Sequence, residues 1–115
     1  MRILLIEDEQ TVAGLLADAV AAEGHETIVA YTGPEGLAYL GRCPDVVFLD
    51  VRLPEMSGIE VLRRIRATHP ELPVVLVTGN AEESELEEAR RLGVAGIVEK
   101  PSILKKVGEV LTRLT

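Results

Sequence analysis

Apolar residues along this chain alternate between two spacings. Five short runs, at 3–6, 27–30, 46–49, 74–77 and 95–98, are almost wholly apolar and rich in β-branched residues. Runs of about four to six such residues suit strands buried on both faces. Between them the apolar positions follow a helical period: Val12, Leu15, Leu16, Ala19 and Val20, ending near Gly24; then Ile59, Leu62 and Ile65; then Ile103, Leu104, Val107, Val110, Leu111 and Leu114. Thr32 with Glu35, Ser57 with Glu60 and Asn80 with Glu83 fit the capping-box spacing at helix starts, and Pro34 suits a first helical turn. The order is a strict β-α alternation, without internal repeat or linker. That order predicts parallel strands joined by right-handed crossovers, with helices on both faces, a three-layer α/β sandwich.

Composition narrows the classes of function. A length of 115 residues fits one domain, spanning 1–115, and 47% hydrophobic residues suit a filled core. With one Phe, two Tyr and no Trp, no aromatic platform for stacking bases is on offer. The net charge of −7 opposes direct binding to nucleic acid or to an anionic membrane surface. Cys43 is the one cysteine, which excludes an intrachain disulfide and a thiolate zinc cluster. The apolar start is too short for a signal peptide and no run is long enough to span a bilayer, so the cytoplasm is the expected location.

In doubly wound sheets, ligands bind beyond the carboxyl ends of the strands. Here those ends carry Glu7, Asp8 and Glu9; Asp50; Thr78; and Glu99 with Lys100. Each has an ordinary explanation when taken singly: a turn residue, a favourable charge at a helix start, a solvated lysine. Their common position at one edge points to a site. Converging carboxylates repel unless a cation intervenes, and Mg²⁺ (or Mn²⁺) takes such oxygen ligands. Asp8, Asp50 and the backbone carbonyl of Arg52 are three candidate ligands, with Glu7 acting directly or through water. A carboxylate held ionised in this way can attack a phosphoryl group. The transferred group needs positive partners on its equatorial oxygens, which the metal, the Lys100 ammonium and the Thr78 hydroxyl can supply.

The strings Ile-Glu-Asp-Glu (6–9), Leu-Asp-Val-Arg-Leu-Pro-Glu-Met-Ser-Gly (49–58), Val-Thr-Gly (77–79) and Glu-Lys-Pro (99–101) resemble the signature of response regulator receiver domains of two-component signal transduction. In motif they are most similar to receivers of nitrogen-regulation and nitrogen-fixation regulators. The resemblance implies a flavodoxin-like (βα)₅ sheet with strand order 2-1-3-4-5. It implies Asp50 as phosphoacceptor, Glu7 and Asp8 as the acidic pair, and Thr78 and Lys100 as phosphoryl-contacting residues. It also implies a cis peptide before Pro101, and a sensor histidine kinase or histidine phosphotransfer protein as donor. The expected role is a phosphorylation-dependent switch, not a turnover enzyme, acting on an effector the sequence does not identify.

Three features depart from the family pattern. Glu7 stands where Asp is commoner. Ile97 replaces the Tyr or Phe that in many receivers moves inward with the threonine, so this chain cannot report its state by a ring. Arg52 and Asn80 flank the place of the water that hydrolyses the acyl phosphate. From this, the Arg52 guanidinium is expected to reach the phosphoryl oxygens or block that water, prolonging the signal.

The remaining features divide between plain and sharper readings. The acidic helix with Glu82, Glu83, Glu85, Glu87 and Glu88 is read first as a solvated face with a Glu87–Arg91 pair. The sharper reading is a homodimer surface facing Lys105 and Lys106 of another copy. The first helix has an apolar stripe of about 160°, so Val12 or Leu15 is either core or a dock for a kinase helix. His25 and His69 are far from the site, and Cys43 is read as an inert loop or core thiol. Two other functions compete with the switch. A phosphatase of the haloacid-dehalogenase type needs a second Asp where Arg52 stands, and a degenerate receiver would bind partners without phosphorylation. No P-loop motif occurs.

Overall fold

A strand flanked by helices on both sides has no solvent face, so it is apolar at every position, and this is how the central strands are built. A computed structural model describes residues 1–114, the side chain of Pro101 excepted. The described residues form β1 (Arg2–Ile6), α1 (Gln10–Ala22), β2 (Glu26–Ala30), α2 (Gly33–Ala38), a 3₁₀ turn (Tyr39–Arg42), β3 (Val46–Asp50), α3 (Gly58–Thr68), β4 (Val74–Thr78), α4 (Glu83–Arg91), β5 (Gly96–Glu99) and α5 (Lys100–Leu114). All strand pairs are parallel, in the order β2-β1-β3-β4-β5. The expected flavodoxin-like topology is therefore the observed one.

Strand parity divides the core in two. Leu4, Ile6, Val47, Leu49, Val74 and Leu76 pack with Val61, Leu62 and Ile65 of α3 and Ala89 of α4. Ile3, Leu5, Val46, Phe48, Val75 and Val77 pack with Leu16 and Val20 of α1 and with Ile103, Val107, Val110 and Leu111 of α5. The helices α1 and α5 thus cover one face, while α3 and α4 cover the other. Continuing the alternation one step past each apolar run places Glu7 and Asp50 on the α1/α5 side.

Helix ends follow the side chains available. The hydroxyls of Thr32 and Ser57 accept the N–H of Glu35 and Glu60, both at 3.2 Å, as the spacing predicted. Asn80 does not cap α4. Its own N–H donates to Thr78 Oγ1 at 3.2 Å within the turn, and the helix starts after Glu82, whose N–H donates to Glu85 Oε1 at 2.9 Å. The helices α1 and α4 both end on a glycine at positive φ, Gly24 at 87° and Gly93 at 74°, where an L side chain would be strained. The carboxy end of α4 is also held by Arg66, whose guanidinium donates to the carbonyls of Leu92 at 2.6 Å, Leu72 at 2.7 Å, Gly93 at 3.0 Å and His69 at 3.1 Å. Replacing Arg66 with Ala should remove about 1–3 kcal/mol of stability, read in urea melts, because hydrogen bonds from a charged donor are lost together.

The acidic face of α4 turns partly inward, toward its neighbours. Arg63 of α3 pairs with Glu88 at 2.5 Å and Arg52 with Glu85 at 2.8 Å, while Arg90 pairs with Glu83 at 3.2 Å. Among the described residues no ion pair joins Glu87 and Arg91; the acids of α4 pair instead with Arg52 and Arg63 of neighbouring segments and with Arg90 of their own helix. On α1, Val12 packs on the core while Leu15 is 49% exposed. The Cys43 thiol is exposed, in the loop before β3. No cis peptide is found among the described residues, and the one expected before Pro101 involves a residue whose side chain is not described.

Candidate functional site

The carboxyl ends of β1, β3 and β5 bring their polar residues to one place. Asp50 and Glu7 are each 2% exposed, an expensive setting for carboxylates without partners. Their chief partner is Lys100, the first residue of α5. Its Nζ lies 3.0 Å from Asp50 Oδ2 and 3.0 Å from Glu7 Oε1. It also reaches Glu9 Oε1 at 3.2 Å, a partner that sequence reasoning missed because Glu9 is merely the third acid of a helix-leading triplet. Asp50 Oδ1 in turn accepts the N–H of Arg52 at 3.2 Å, and Glu7 Oε2 accepts that of Glu9 at 3.1 Å. Those two bonds fix the rotamers of the buried acids.

The loop after β3 is shaped to let Asp50 face this cluster. Gly58, the first residue of α3, donates its N–H to Val51 O at 2.8 Å, drawing the helix start against the strand end. Between them Glu55 adopts φ 67°, bridged by the Met56 N–H bond to Pro54 O at 2.7 Å. A non-glycine residue in that region stores strain of about 1–2 kcal/mol, which a single tight turn can hold.

Charge balance at the site is uneven. Burial pushes the Glu7 carboxyl up to about 7, against the hydrogen bonds from Glu9 N–H and Lys100 that work to lower it. Burial works to lower the Lys100 ammonium, but hydrogen bonds to Glu7 and Asp50 outweigh it and hold its pKa above the ordinary lysine value. One ammonium faces three carboxylates, so the ammonium holds its charge, while Glu7 gives up its proton less readily than an ordinary glutamate.

Three observations bear on a cation. One carboxylate oxygen from each of Glu7, Asp8 and Asp50 lies within 4.8 Å of the others. Glu7 Oε1 is buried, with the Lys100 ammonium 3.0 Å away but no hydrogen bond directed at it. Asp8 is exposed at the rim, where a hydrated ion can enter. Oxygens at opposite sides of a Mg²⁺ ion stand about 4.2 Å apart, so small rotations of these side chains would close the set. The donors are all hard oxygens, which suits Mg²⁺ or Mn²⁺.

Two of the expected residues stand slightly apart. Thr78 closes β4 in register with Glu99, and its hydroxyl accepts the Asn80 N–H; among the described residues no hydrogen bond joins it to Asp50. It borders a cleft of about 270 Å³ lined also by Ala81, Leu86 and Ile97. Arg52 sends its side chain to Glu85 on α4 through two bonds of 2.8 Å. The Glu82 N–H first, and then Arg52, hold the Glu85 carboxyl below its usual value.

Comparison with known proteins agrees with this geometry. The sequence profile described as response regulator receiver domain matches residues 3–112. Regulatory protein AtoC of Escherichia coli (strain K12) is 38% identical over 113 residues, covering 97% of this chain and 24% of AtoC. The crystal structure of NtrX from Brucella abortus superposes with a TM-score of 0.88 at 34% identity, over 98% of this chain and 26% of that one. Chemotaxis protein CheY4 of Vibrio cholerae, at 23% identity and a TM-score of 0.90 over 99% of this chain and 98% of its own, shares the fold. The chain thus spans about a quarter of AtoC and of NtrX. With the profile running from β1 into α5, the chain belongs to the response regulator receiver domain family of two-component systems.

Proposed function

We propose that residues 1–115 form one receiver domain that accepts a phosphoryl group on Asp50 and passes the change to a partner surface. The observation that carries this reading is Lys100 Nζ at 3.0 Å from the buried Asp50 Oδ2, beside the acidic trio of Glu7, Asp8 and Asp50. The family binds Mg²⁺ at an acidic pocket, and here Glu7, Asp8, Asp50 and the Arg52 carbonyl would hold it (or Mn²⁺). When bound, the metal neutralises carboxylate repulsion and charge on the transferred group.

The chain's own groups do the rest. The Asp50 Oδ nearest the donor forms an O–P bond as the bond from phosphorus to the donor breaks, and the donor leaves with that electron pair. From a kinase phosphohistidine the leaving group is imidazole, and from acetyl phosphate it is acetate. Lys100 steadies one phosphoryl oxygen. The Thr78 hydroxyl turns from its Asn80 bond to another. A sensor histidine kinase or histidine phosphotransfer protein is the donor, and a separate effector surface or partner reads the result in the cytoplasm. The domain takes part in its own phosphorylation and dephosphorylation without being a turnover enzyme.

Incubation with acetyl phosphate and Mg²⁺, followed by intact-mass measurement, tests this. One stable phosphoryl adduct is expected, mapped to Asp50 and lost with Asp50→Asn or with chelator. Lys100→Ala should slow its formation by about 10²-fold, the scale of removing one preplaced charge from a phosphoryl site. Rapid multiple turnover would favour a phosphatase. No adduct at all would favour an interaction module that is never phosphorylated.

A further inference from the structure

The Arg52–Glu85 contact is unusual among the surface ion pairs of this protein because it starts two residues from Asp50. The Arg52 N–H donates to Asp50 Oδ1, so its backbone sits against the carboxylate, while its guanidinium is clamped in a fork by both oxygens of Glu85. Glu85 is 19% exposed and Arg52 48%. The same Glu85 carboxylate accepts the N–H of Glu82, the residue that begins α4. One acid therefore closes the first turn of α4 and ties it to the loop that carries the reactive aspartate.

We propose that Glu85 holds Arg52 in reserve, and that phosphorylation of Asp50 draws the guanidinium from Glu85 onto the phosphoryl oxygens, where it shields the acyl phosphate from water and leaves the first turn of α4 unlatched. This rests on Asp50 being the phosphoacceptor and adds the regulation of that site. The driving force is charge and shape. A phosphoryl group carries close to two negative charges and three acceptor oxygens, against one charge on Glu85, and guanidinium forks onto either. The Arg52 main chain is already anchored on Asp50 through its N–H, so the side chain starts beside the site. The lifetime of the phosphorylated state and the freedom of α4 then share one side chain. This gives the fold a route from Asp50 to α4 that does not use an aromatic ring, which Ile97 cannot supply.

The test compares wild type, Glu85→Gln, Arg52→Gln and the double variant, loaded with acetyl phosphate and Mg²⁺ and then freed of donor. Two quantities are read: the half-life of the Asp50 adduct by intact mass, and amide exchange across residues 81–86. Loading should speed exchange there in wild type. Glu85→Gln should show fast exchange before loading and lengthen the half-life by about two- to fivefold, the range an exposed ion pair can bias. Arg52→Gln should shorten the half-life, and the double variant should follow Arg52→Gln. Arg52→Lys, which keeps charge without the fork, should fall between. A purely structural Glu85 would alter exchange and leave every lifetime alone. An adduct with equal lifetimes in wild type and Glu85→Gln overturns the latch and spares the phosphoacceptor reading. No adduct on wild-type Asp50 overturns both.

Discussion

Gly58→Ala is expected to destabilise the protein by about 3 kcal/mol or more and to dislodge Asp50 with it. A Cβ built at Gly58 falls deep inside contact distance of the Asp50 carbonyl oxygen, 2.8 Å from Val51 Cα and 2.9 Å from the Asp50 carbonyl carbon. All three are backbone atoms, so no rotamer relieves the clash. Either α3 backs away, breaking the Gly58 N–H bond to Val51 O, or the end of β3 shifts and carries the reactive carboxylate off Lys100. Overpacking against a rigid partner costs about 1–3 kcal/mol, and losing the buried hydrogen bond adds about 1 kcal/mol. Thermal melts should show the midpoint falling by about 10 °C or more. Gly36→Ala is the control. Its Cβ would press on the buried Ile6 side chain, 2.8 Å from Cγ1 and 3.3 Å from Cγ2, so that clash is with side-chain atoms and not with backbone. A Gly58→Ala melt no lower than that of Gly36→Ala would show that the close approach of α3 does not set the Asp50 position.

The same contrast between backbone and side chain explains what the sequence made legible. The strands and their faces followed from apolar parity, because each strand must bury both sides. The site followed from where polar residues interrupt those runs. Asp50 and Thr78 close their strands as expected, since ladder bonds run through the backbone whatever the side chain. Ser57 and Thr32 were readable as caps because the cap bond spans only three residues. Asn80 misled because its N–H was drawn into a turn by Thr78, and Glu82 began the helix in its place. The long-range partners of Arg52, Arg63 and Arg66 were not readable. Each meets a residue on another element, fixed only when α3 and α4 pack, and a helical periodicity carries no information about that neighbour.

The second large effect concerns the proton on Glu7. Its carboxyl lies at about 7 in the folded protein against an ordinary value of 4.5, with burial as the main cause. A raised acid binds its proton more tightly folded than unfolded, so the folded state is favoured while that proton stays on. Below about pH 4.5 both states are protonated and the group is neutral in effect. As pH rises from there through 7, stability falls, and above 7 the loss is complete. Each pH unit between the two values is worth about 1.4 kcal/mol, so this group removes on the order of 3 kcal/mol between pH 4.5 and 8. The depressed acids on α3 and α4, Glu60, Glu85 and Glu88, act in the opposite sense and at lower pH, and their exposure leaves them largely screened. Urea melts of metal-free protein should therefore show stability declining from pH 5 to pH 8, and Glu7→Gln should be nearly flat over that window and the more stable of the two at pH 8. A divalent cation needs Glu7 ionised, so Mg²⁺ should bind more tightly as pH rises through 7, releasing close to one proton, and should restore the stability lost at pH 8. Because Gln keeps the shape of Glu7 without its titration, an equal pH slope in the two proteins would move the responsible proton to another group.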